Sequence, residues 1–253
     1  MNEIPFLNYH NIQPAGDPYT ISENSFKAQM DLLNELGFST LSVDEFLSLR
    51  NAEERRENNL ISITFDDGYS SNYEICLPVL KKYGFKATFF ITTGWIDSEI
   101  GFSAKQIDDM AKRGMQIGSH TVNHVFLPNV SDEVLYYELK DSKRRLEEII
   151  NDEVTCLSLP GGRNIKKITE VAKEIGYKSI CTSEYRMNNF DSDPFSLGRI
   201  AIKSTFSLEL FGKIVTGNHP TWRSMKFKQH IKYIVQRILG SKLYHSLWEM
   251  KYE

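Results

Sequence analysis

Four glycines mark a repeating pattern that limits the folds open to this chain. Gly37, Gly84, Gly114 and Gly176 each end a segment of helical hydrophobic period, and a short apolar run of strand type follows. Glycine at that point supplies the left-handed conformation that a tight helix-to-strand turn requires. Four units of helix, glycine and strand predict an α/β fold with a parallel sheet, either a barrel or a doubly wound sheet.

Short apolar runs supply the candidate strands of this sheet. Two of the intervening segments begin with a capping box, a serine followed three residues later by Glu or Gln, at Ser42 and Ser103. No linker or low-complexity stretch interrupts the alternation, so we expect residues 1–253 to form one domain. The candidate strands are residues 5–9, 39–41, 60–65, 87–91, 115–118, 154–159, 178–182 and 199–202.

The composition is that of an ordinary globular protein, with 41% hydrophobic and 25% charged residues. A formal net charge of −3 gives no reason to expect a nucleic-acid partner. Cys76, Cys156 and Cys181 are odd in number and widely spaced, which indicates buried, reduced thiols. The N-terminal residues lack the pattern of a signal peptide, and no apolar run approaches the roughly 20 residues of a membrane span. We therefore expect a cytoplasmic protein, for the sequence as written.

Two groups of metal-binding residue types follow apolar runs. Asp66 and Asp67 stand side by side after the run at residues 60–65, and His120 and His124 are four apart after another run. One carboxylate and two imidazoles form a ligand set that suits Zn²⁺ and other first-row ions and leaves positions open for water and substrate. The second carboxylate is then a candidate general base.

Each group has a simpler interpretation. An isolated H-x-x-x-H is more often a pair of loop histidines, and Asp-Asp-Gly also occurs in surface turns held by an Asx hydrogen bond. The two groups together favour a metal site, because both follow candidate strands. Parallel strands bring their C-terminal ends to one edge, where the active sites of α/β barrels lie. His10 follows the first candidate strand, and an imidazole there is suited to donate a proton to an amine leaving group.

The motifs at these residues resemble those of the polysaccharide deacetylases of carbohydrate esterase family 4. Residues 64–68 match the motif T-F-D-D-G, residues 120–124 match H-[ST]-x-x-H, and the resemblance extends over roughly residues 4–204. It implies a distorted (β/α) barrel of seven to eight parallel strands with outer helices. It also implies removal of acetyl from an N-acetylated sugar, with Asp66 as general base and a divalent metal held by Asp67, His120 and His124. Zn²⁺ is the first choice, with Co²⁺, Ni²⁺, Mn²⁺ or Fe²⁺ as alternatives.

The chain departs from the family pattern in three motifs. The third motif's arginine precedes its proline, whereas Arg163 here follows Pro160; the Asp-Trp pair of the fourth motif is not recognisable, and the C-terminal Leu-His strand is missing. His219 follows no candidate strand. The strand before His10 resembles instead the permuted subgroup that includes the poly-N-acetylglucosamine deacetylases, which implies that His10 is the acid. Arg163 and Arg199 are both candidates for the arginine that supports the base.

The expected partner is an N-acetylated glycan or sugar precursor. Trp95 lies in a loop on the catalytic side, where its face could stack on a sugar ring or pack within the protein. Two alternatives to the deacetylase stay open: a carbohydrate-binding pseudoenzyme, and a hydrolase of another non-peptide C–N bond. The residues expected to contact substrate are Tyr69, Trp95, Pro160, Gly161 and Arg163.

A basic segment ends the chain. Residues 220–253 contain seven Lys or Arg and two Glu, with aromatic residues interleaved. Such a segment could rest on an anionic membrane as an amphipathic helix, or pack on the barrel with a solvated basic face. We favour the second interpretation and expect residues 205–253 to be a basic helical extension packed on the barrel.

Overall fold

A computed structural model describes residues 3–14, 16–50, 59–217 and 219–239. All eight predicted strands are present, each within two residues of its predicted bounds, and every strand pairing is parallel. Within those ranges no helix is long and apolar enough to cross a membrane. The strands are β1 (Phe6–Tyr9), β2 (Ser39–Leu41), β3 (Leu60–Phe65), β4 (Thr88–Ile91), β5 (Gln116–Ser119), β6 (Cys156–Ser158), β7 (Ser179–Cys181) and β8 (Ile200–Ala201).

The strands form one curled sheet in the order β7-β6-β5-β4-β3-β1-β8. β2 lies off this path and pairs with the first half of β3, whose last two residues pair with β4. Leu197, just before β8, closes the sheet towards β7: its N–H donates to the Ile180 carbonyl at 2.9 Å and its carbonyl accepts from Thr182 at 2.8 Å. The predicted distorted (β/α) barrel is confirmed.

The helices connect the strands, and their ends follow the predicted local signals. Both predicted capping boxes are present, at Ser42 with Glu45 and at Ser103 with Gln106. Gly84 and Gly176 follow helix ends with φ of 64° and 100°, the left-handed conformation that the pattern predicted. The helices are α1 (Glu23–Glu35), α2 (Val43–Leu49), α3 (Ser71–Lys82), α4 (Ala104–Lys112), α5 (Asp132–Ile150), α6 (Lys166–Ile175), α7 (Leu208–Val215) and α8 (His219–Leu239).

Helix α2 covers one end of the barrel, and the candidate site residues lie at the other. α2 covers the end where the strands begin: Phe46 packs edge-on against Phe6 at 5.0 Å, and the Val43 N–H donates to Thr88 Oγ1 at 3.1 Å. Most of the apolar core lies outside the barrel, between the sheet and the helices. The three cysteines are buried and free, as predicted. The predicted site residues Asp66, Asp67 and His120 lie at the opposite end, beyond the C-terminal ends of the strands.

Candidate metal and catalytic site

The two adjacent aspartates follow β3 and diverge because the backbone turns between them. The Asp66 N–H still donates to the Tyr9 carbonyl at 2.9 Å, as a continuing strand would. Asp67 has φ of 74° and Gly68 has φ of 89°, so the chain reverses immediately afterwards. Left-handed backbone is uncommon for a residue with a side chain and occurs mainly where the surrounding structure enforces it. The turn sends the two carboxylates to different partners.

Asp67 lies with His120 and His124 in a compact cluster. The Oδ1 atom of Asp67 is 3.3 Å from the Nε2 atom of each histidine. Nδ1 of His120 is 2.9 Å from the Ser158 carbonyl oxygen, which can only accept a hydrogen bond. Nδ1 of His120 must therefore carry the proton, and Nε2 presents a lone pair towards Asp67. Fixing the tautomer through a backbone carbonyl is a common arrangement for histidines that bind metals.

The donor set fits a divalent cation. A carboxylate oxygen and an imidazole lone pair that face each other at 3.3 Å repel unless a proton or a metal cation lies between them. Two ligands about 2.0 to 2.1 Å from one tetrahedral zinc ion lie about 3.3 to 3.4 Å apart, which matches this spacing. Asp67 Oδ1 is buried with no hydrogen-bond donor among the described residues. Burial opposes ionisation of Asp67, but hydrogen bonds from His120 and His124, when their Nε2 atoms carry protons, lower the pKa of Asp67 well below its usual value. A bound divalent cation would take the place of those protons.

Glu138 on α5 holds the loop that carries the two histidines. Its Oε2 accepts hydrogen bonds from the backbone N–H groups of Val122 at 2.8 Å and Asn123 at 2.9 Å, and its Oε1 accepts from the Asn123 side chain at 2.7 Å. Thr121 and His124 have φ of 68° and 56°, so this loop is strained. Sequence reasoning missed Glu138. The available signal was an acidic residue on the apolar face of α5, between Leu135 and Leu139.

Asp66 forms a bidentate ion pair with Arg199. The two guanidinium nitrogens Nη1 and Nη2 each lie 2.7 Å from one carboxylate oxygen, and Arg199 is fully buried. Oδ2 also accepts from Asn8 and Ser158, both at 3.1 Å, whereas the arginine is the described partner of Oδ1. Burial opposes ionisation of Asp66, but Arg199 and then His120 outweigh it and lower the pKa to about 2. The carboxylate is ionised at neutral pH and keeps a lone pair of Oδ1 unused.

The Arg199 guanidinium has a partner for each of its five N–H donors. Beyond the two bonds to Asp66, it donates to the Thr182 carbonyl, Thr64 Oγ1 and Ser158 Oγ. A buried charge is tolerated when it is paired and fully hydrogen-bonded in this way. Of the two arginines considered from the sequence, Arg199 therefore pairs with Asp66, while Arg163 is exposed. A lone cation within the apolar run before β8 was the signal for Arg199.

His10 approaches the aspartates from β1, on the other side of β3 from the histidine pair. β1 and β4 flank β3, and β5, which precedes His120, lies beyond β4. The His10 carbonyl accepts from Asn72 Nδ2 at 2.6 Å, and its ring lies 5.1 Å from the ring of Tyr19. Nδ1 is buried and has no hydrogen-bond partner in the described part of the chain. His10 is close enough that its charge contributes to lowering the pKa of both aspartates.

Two aromatic residues line the cluster on the β4 side. The Trp95 ring lies 5.7 Å from the His124 ring and 5.9 Å from the Tyr69 ring. Both Trp95 and Tyr69 are half-buried, so part of each ring reaches solvent. Burial, followed by the charge of Asp67, raises the pKa of Tyr69 to about 12, so the phenol stays protonated. These two predicted substrate contacts therefore lie beside a candidate metal ligand.

The other three predicted substrate contacts lie in the turn after β6. Pro160 is buried, Gly161 is exposed with φ of 69°, and Arg163 is exposed. The turn begins two residues after Ser158, which contacts both Asp66 and His120. Among the described contacts, none joins these three residues directly to the Asp67 cluster. Their position is the rim of the same strand end.

Known proteins share this chain's sequence and fold. The family profile described as polysaccharide deacetylase matches residues 53–180. YxkH of Bacillus subtilis (strain 168), assigned to the polysaccharide deacetylases, is 30% identical over 213 residues, which cover 84% of this chain and 76% of YxkH. The poly-beta-1,6-N-acetyl-D-glucosamine N-deacetylase of Staphylococcus aureus is 25% identical over 230 residues, with 79% of each chain covered. The deacetylase PplD of Streptococcus pyogenes, solved in complex with acetate, superposes with a TM-score of 0.76 at 30% identity and covers 82% of this chain and 96% of its own. The chain belongs to the polysaccharide deacetylase family.

Proposed function

We propose that this protein is a metal-dependent N-deacetylase that removes acetyl groups from a glycan, or a glycan precursor, containing N-acetylhexosamine. The observation that carries the proposal is the pair of diverging aspartates: one is held ionised by Arg199, and the other shares a cluster with two histidines. The Staphylococcus aureus relative, whose name states action on an N-acetylglucosamine polymer, supports the substrate class.

Asp67, His120 and His124 would hold the cation, with Zn²⁺ favoured by a set of two imidazoles and one carboxylate. A bound divalent cation supplies a Lewis acid that polarises the acetyl carbonyl and increases the acidity of water. The Ser158 carbonyl keeps the Nε2 lone pair of His120 available, and Glu138 keeps the histidine loop in place. The chain thus prepares the three ligands before any cation binds.

Asp66 and His10 would move the protons of the reaction. The Oδ1 atom of Asp66 accepts a proton from the attacking water as the new C–O bond forms on the acetyl carbon. Because the pKa of Asp66 is about 2, this carboxylate is ionised and ready at neutral pH. His10 donates a proton to the amide nitrogen as the C–N bond breaks, so the sugar leaves as a free amine and the acetyl group as acetate.

The substrate would lie along the rim between the two sides of the site. The half-buried ring of Trp95 offers a face for a sugar ring beside His124, with Tyr69 next to it. Pro160, Gly161 and Arg163 would contact the glycan from the β6 side. The same proposal treats residues 1–253 as one catalytic domain. Of the segment 205–253, which we expect to pack on the barrel, residues 240–253 lie outside the described residues.

Acetate release from N-acetylglucosamine oligomers by zinc-loaded protein tests this function. Asp66→Asn should abolish release, because the neutral amide cannot accept the proton. His10→Ala should reduce release by about 10²- to 10⁴-fold, the usual contribution of a general acid. Asp108→Asn, on α4 away from the site, is the matched control and should keep full activity.

Three outcomes would contradict the proposal. Full activity of Asp66→Asn would mean that another group is the base. If wild type binds zinc but releases acetate from none of several N-acetylated glycans, the carbohydrate-binding alternative gains support. If wild type instead opens small cyclic amides, it is a hydrolase of another C–N bond.

A further inference from the structure

Helix α8 has an apolar face that points away from the barrel. At about 100° per residue, positions seven apart lie on the same side of a helix, and positions five apart lie roughly opposite. Trp222 and Gln229 form the inner side: Trp222 is buried and its Nε1 donates to the Ile214 carbonyl at 3.1 Å. On the outer side, Phe227 is 65% exposed and Ile231 is 45% exposed. The helix is thus attached to the body through one face while the opposite face leaves two large apolar side chains in solvent.

The residues around this apolar pair are basic. Arg223, Lys226 and Lys228 are all exposed. Between residues 219 and 239 the sequence has five Lys or Arg and no Asp or Glu, in a chain whose net charge is −3. A second copy of the same helix is a poor partner, because pairing would bring these cations together without any carboxylate to compensate them. The partner that fits this face is an anionic surface, which complements the cations, with an apolar layer beneath it for Phe227 and Ile231.

The inner side of α8 contacts the loops beside the rim of the candidate site. Gln229 Nε2 donates to the Ser183 carbonyl at 2.6 Å, and Gln229 Oε1 accepts from the Tyr185 N–H at 2.8 Å. Ser183 in turn donates its N–H to the carbonyl of Gly162, in the turn after β6. A surface that binds α8 would therefore lie near the loops after β6 and β7, on the side where a glycan enters.

We propose that α8 docks on an anionic membrane surface, with Phe227 and Ile231 inserted at the boundary between headgroups and acyl chains. Arg223, Lys226 and Lys228 bind the lipid phosphates around them. This arrangement is that of an interfacial amphipathic helix, whose affinity combines buried apolar area with attraction to anionic lipid. It keeps the catalytic rim close to the bilayer and suits a glycan held at a membrane. Docking does not depend on the deacetylase activity.

Flotation of the full chain with lipid vesicles tests the docking. Wild type should float with vesicles containing phosphatidylglycerol, should not float with pure phosphatidylcholine, and should dissociate in high salt. Phe227→Ser with Ile231→Ser should lower the partition coefficient by about tenfold or more. Lys226→Gln with Lys228→Gln should lower it by about 25-fold, at about fivefold per cation.

Matched controls distinguish membrane binding by α8 from non-specific binding of other exposed aromatic or basic side chains to the vesicles. Tyr137→Ser removes an aromatic side chain on α5 that is 48% exposed, and Lys105→Gln with Lys166→Gln removes two exposed cations elsewhere. These variants should float like wild type. Acetate release from soluble oligomers should be unchanged in every α8 variant, so a failure of docking is distinguishable from a failure of the deacetylase.

Three results would overturn the docking proposal. The first is that wild type fails to float with anionic vesicles at low salt. The second is that the α8 variants float as well as wild type. The third is that sedimentation shows wild-type self-association that is lost in the serine variant, because the apolar face would then be covered by a second copy of the chain.

Discussion

Replacing Arg199 by methionine tests the buried ion pair on which the proposed base depends. The substitution removes the charge and all five N–H donors but keeps an unbranched apolar stem. Asp66, which is almost fully buried, would keep only Asn8 and Ser158 as partners. Breaking a buried pair on one side typically costs about 3 to 5 kcal/mol, because a buried charge is left uncompensated. That loss is a large part of the roughly 5 to 15 kcal/mol that stabilises an ordinary domain.

The pH dependence of the loss follows from the Asp66 carboxyl. Its pKa is about 2 in the folded protein against the ordinary value of 3.8, a difference worth about 2 kcal/mol of stability. In wild type this contribution is present above pH 3.8 and is lost as the pH falls towards 2. Without Arg199, burial is less fully offset and the pKa of Asp66 in the folded protein rises, so protonation at lower pH relieves part of the penalty. The difference in stability between wild type and Arg199→Met should therefore narrow as the pH is lowered.

Urea unfolding at a fixed metal concentration, at pH 7 and at pH 4.5, measures both effects. Arg163→Met is the matched control: this arginine is exposed, and its loss should change stability by less than about 0.5 kcal/mol. Adding Asp66→Asn to Arg199→Met should recover part of the lost stability, because the uncompensated charge disappears. The reasoning is refuted if Arg199→Met costs less than about 1 kcal/mol at pH 7, or if Arg163→Met is equally damaging.

Three further predictions concern the histidine loop and the rim. Glu138→Gln should weaken zinc binding by about 10- to 100-fold in competition with a chelator, because glutamine keeps one acceptor oxygen and its NH₂ would face the side-chain NH₂ of Asn123. Glu133→Gln, exposed on the same helix, should bind zinc as wild type does. Unchanged zinc affinity in Glu138→Gln would mean that Glu138 does not position the two histidines. Zinc at 100 times its Kd should stabilise wild type by about 2.7 kcal/mol and raise its melting temperature, and Asp67→Asn should lose this rise. An equal rise in wild type and Asp67→Asn would exclude Asp67 as a zinc ligand. Trp95→Ala should raise KM for oligomers by about fivefold, since stacking on a sugar ring is worth about 1 kcal/mol, and should leave zinc affinity unchanged. A parallel loss of zinc affinity would mean that Trp95 supports His124 instead of the sugar.

The fold was predictable where its causes are local. Helix ends depend on residues a few positions apart, so the capping box at Ser42 and the glycine at position 84 could be identified directly from the chain. Alternation of such signals with short apolar runs indicates a parallel sheet. Two features were not predictable in this way: β2 and β4 share one side of β3, and Leu197 closes the barrel against β7. Both depend on backbone pairing between segments that are distant in the sequence.

The candidate site likewise has parts that were predictable from the sequence and parts that were not. Residue type and position after a strand were enough to nominate Asp66, Asp67 and the two histidines, because parallel strands bring their C-terminal ends together whatever the details of packing. Three features came only from the folded arrangement. They are the pairing of Asp66 with Arg199 instead of Arg163, the tautomer of His120, and the hydrogen bonds by which Glu138 holds the histidine loop. Each depends on a contact between residues 15 to 133 positions apart.

The physical reason is the range of the interactions involved. Hydrophobic period, capping and turn geometry act within a few residues, so the linear order of the chain already determined the elements and the chemistry available at their ends. Charge pairing and hydrogen bonding in a buried site act through distance and orientation in space, and a shift of about 1 Å changes which groups can pair. Packing of the barrel therefore decided that one aspartate is held ionised by a buried arginine while its neighbour faces the Nε2 atoms of two histidines.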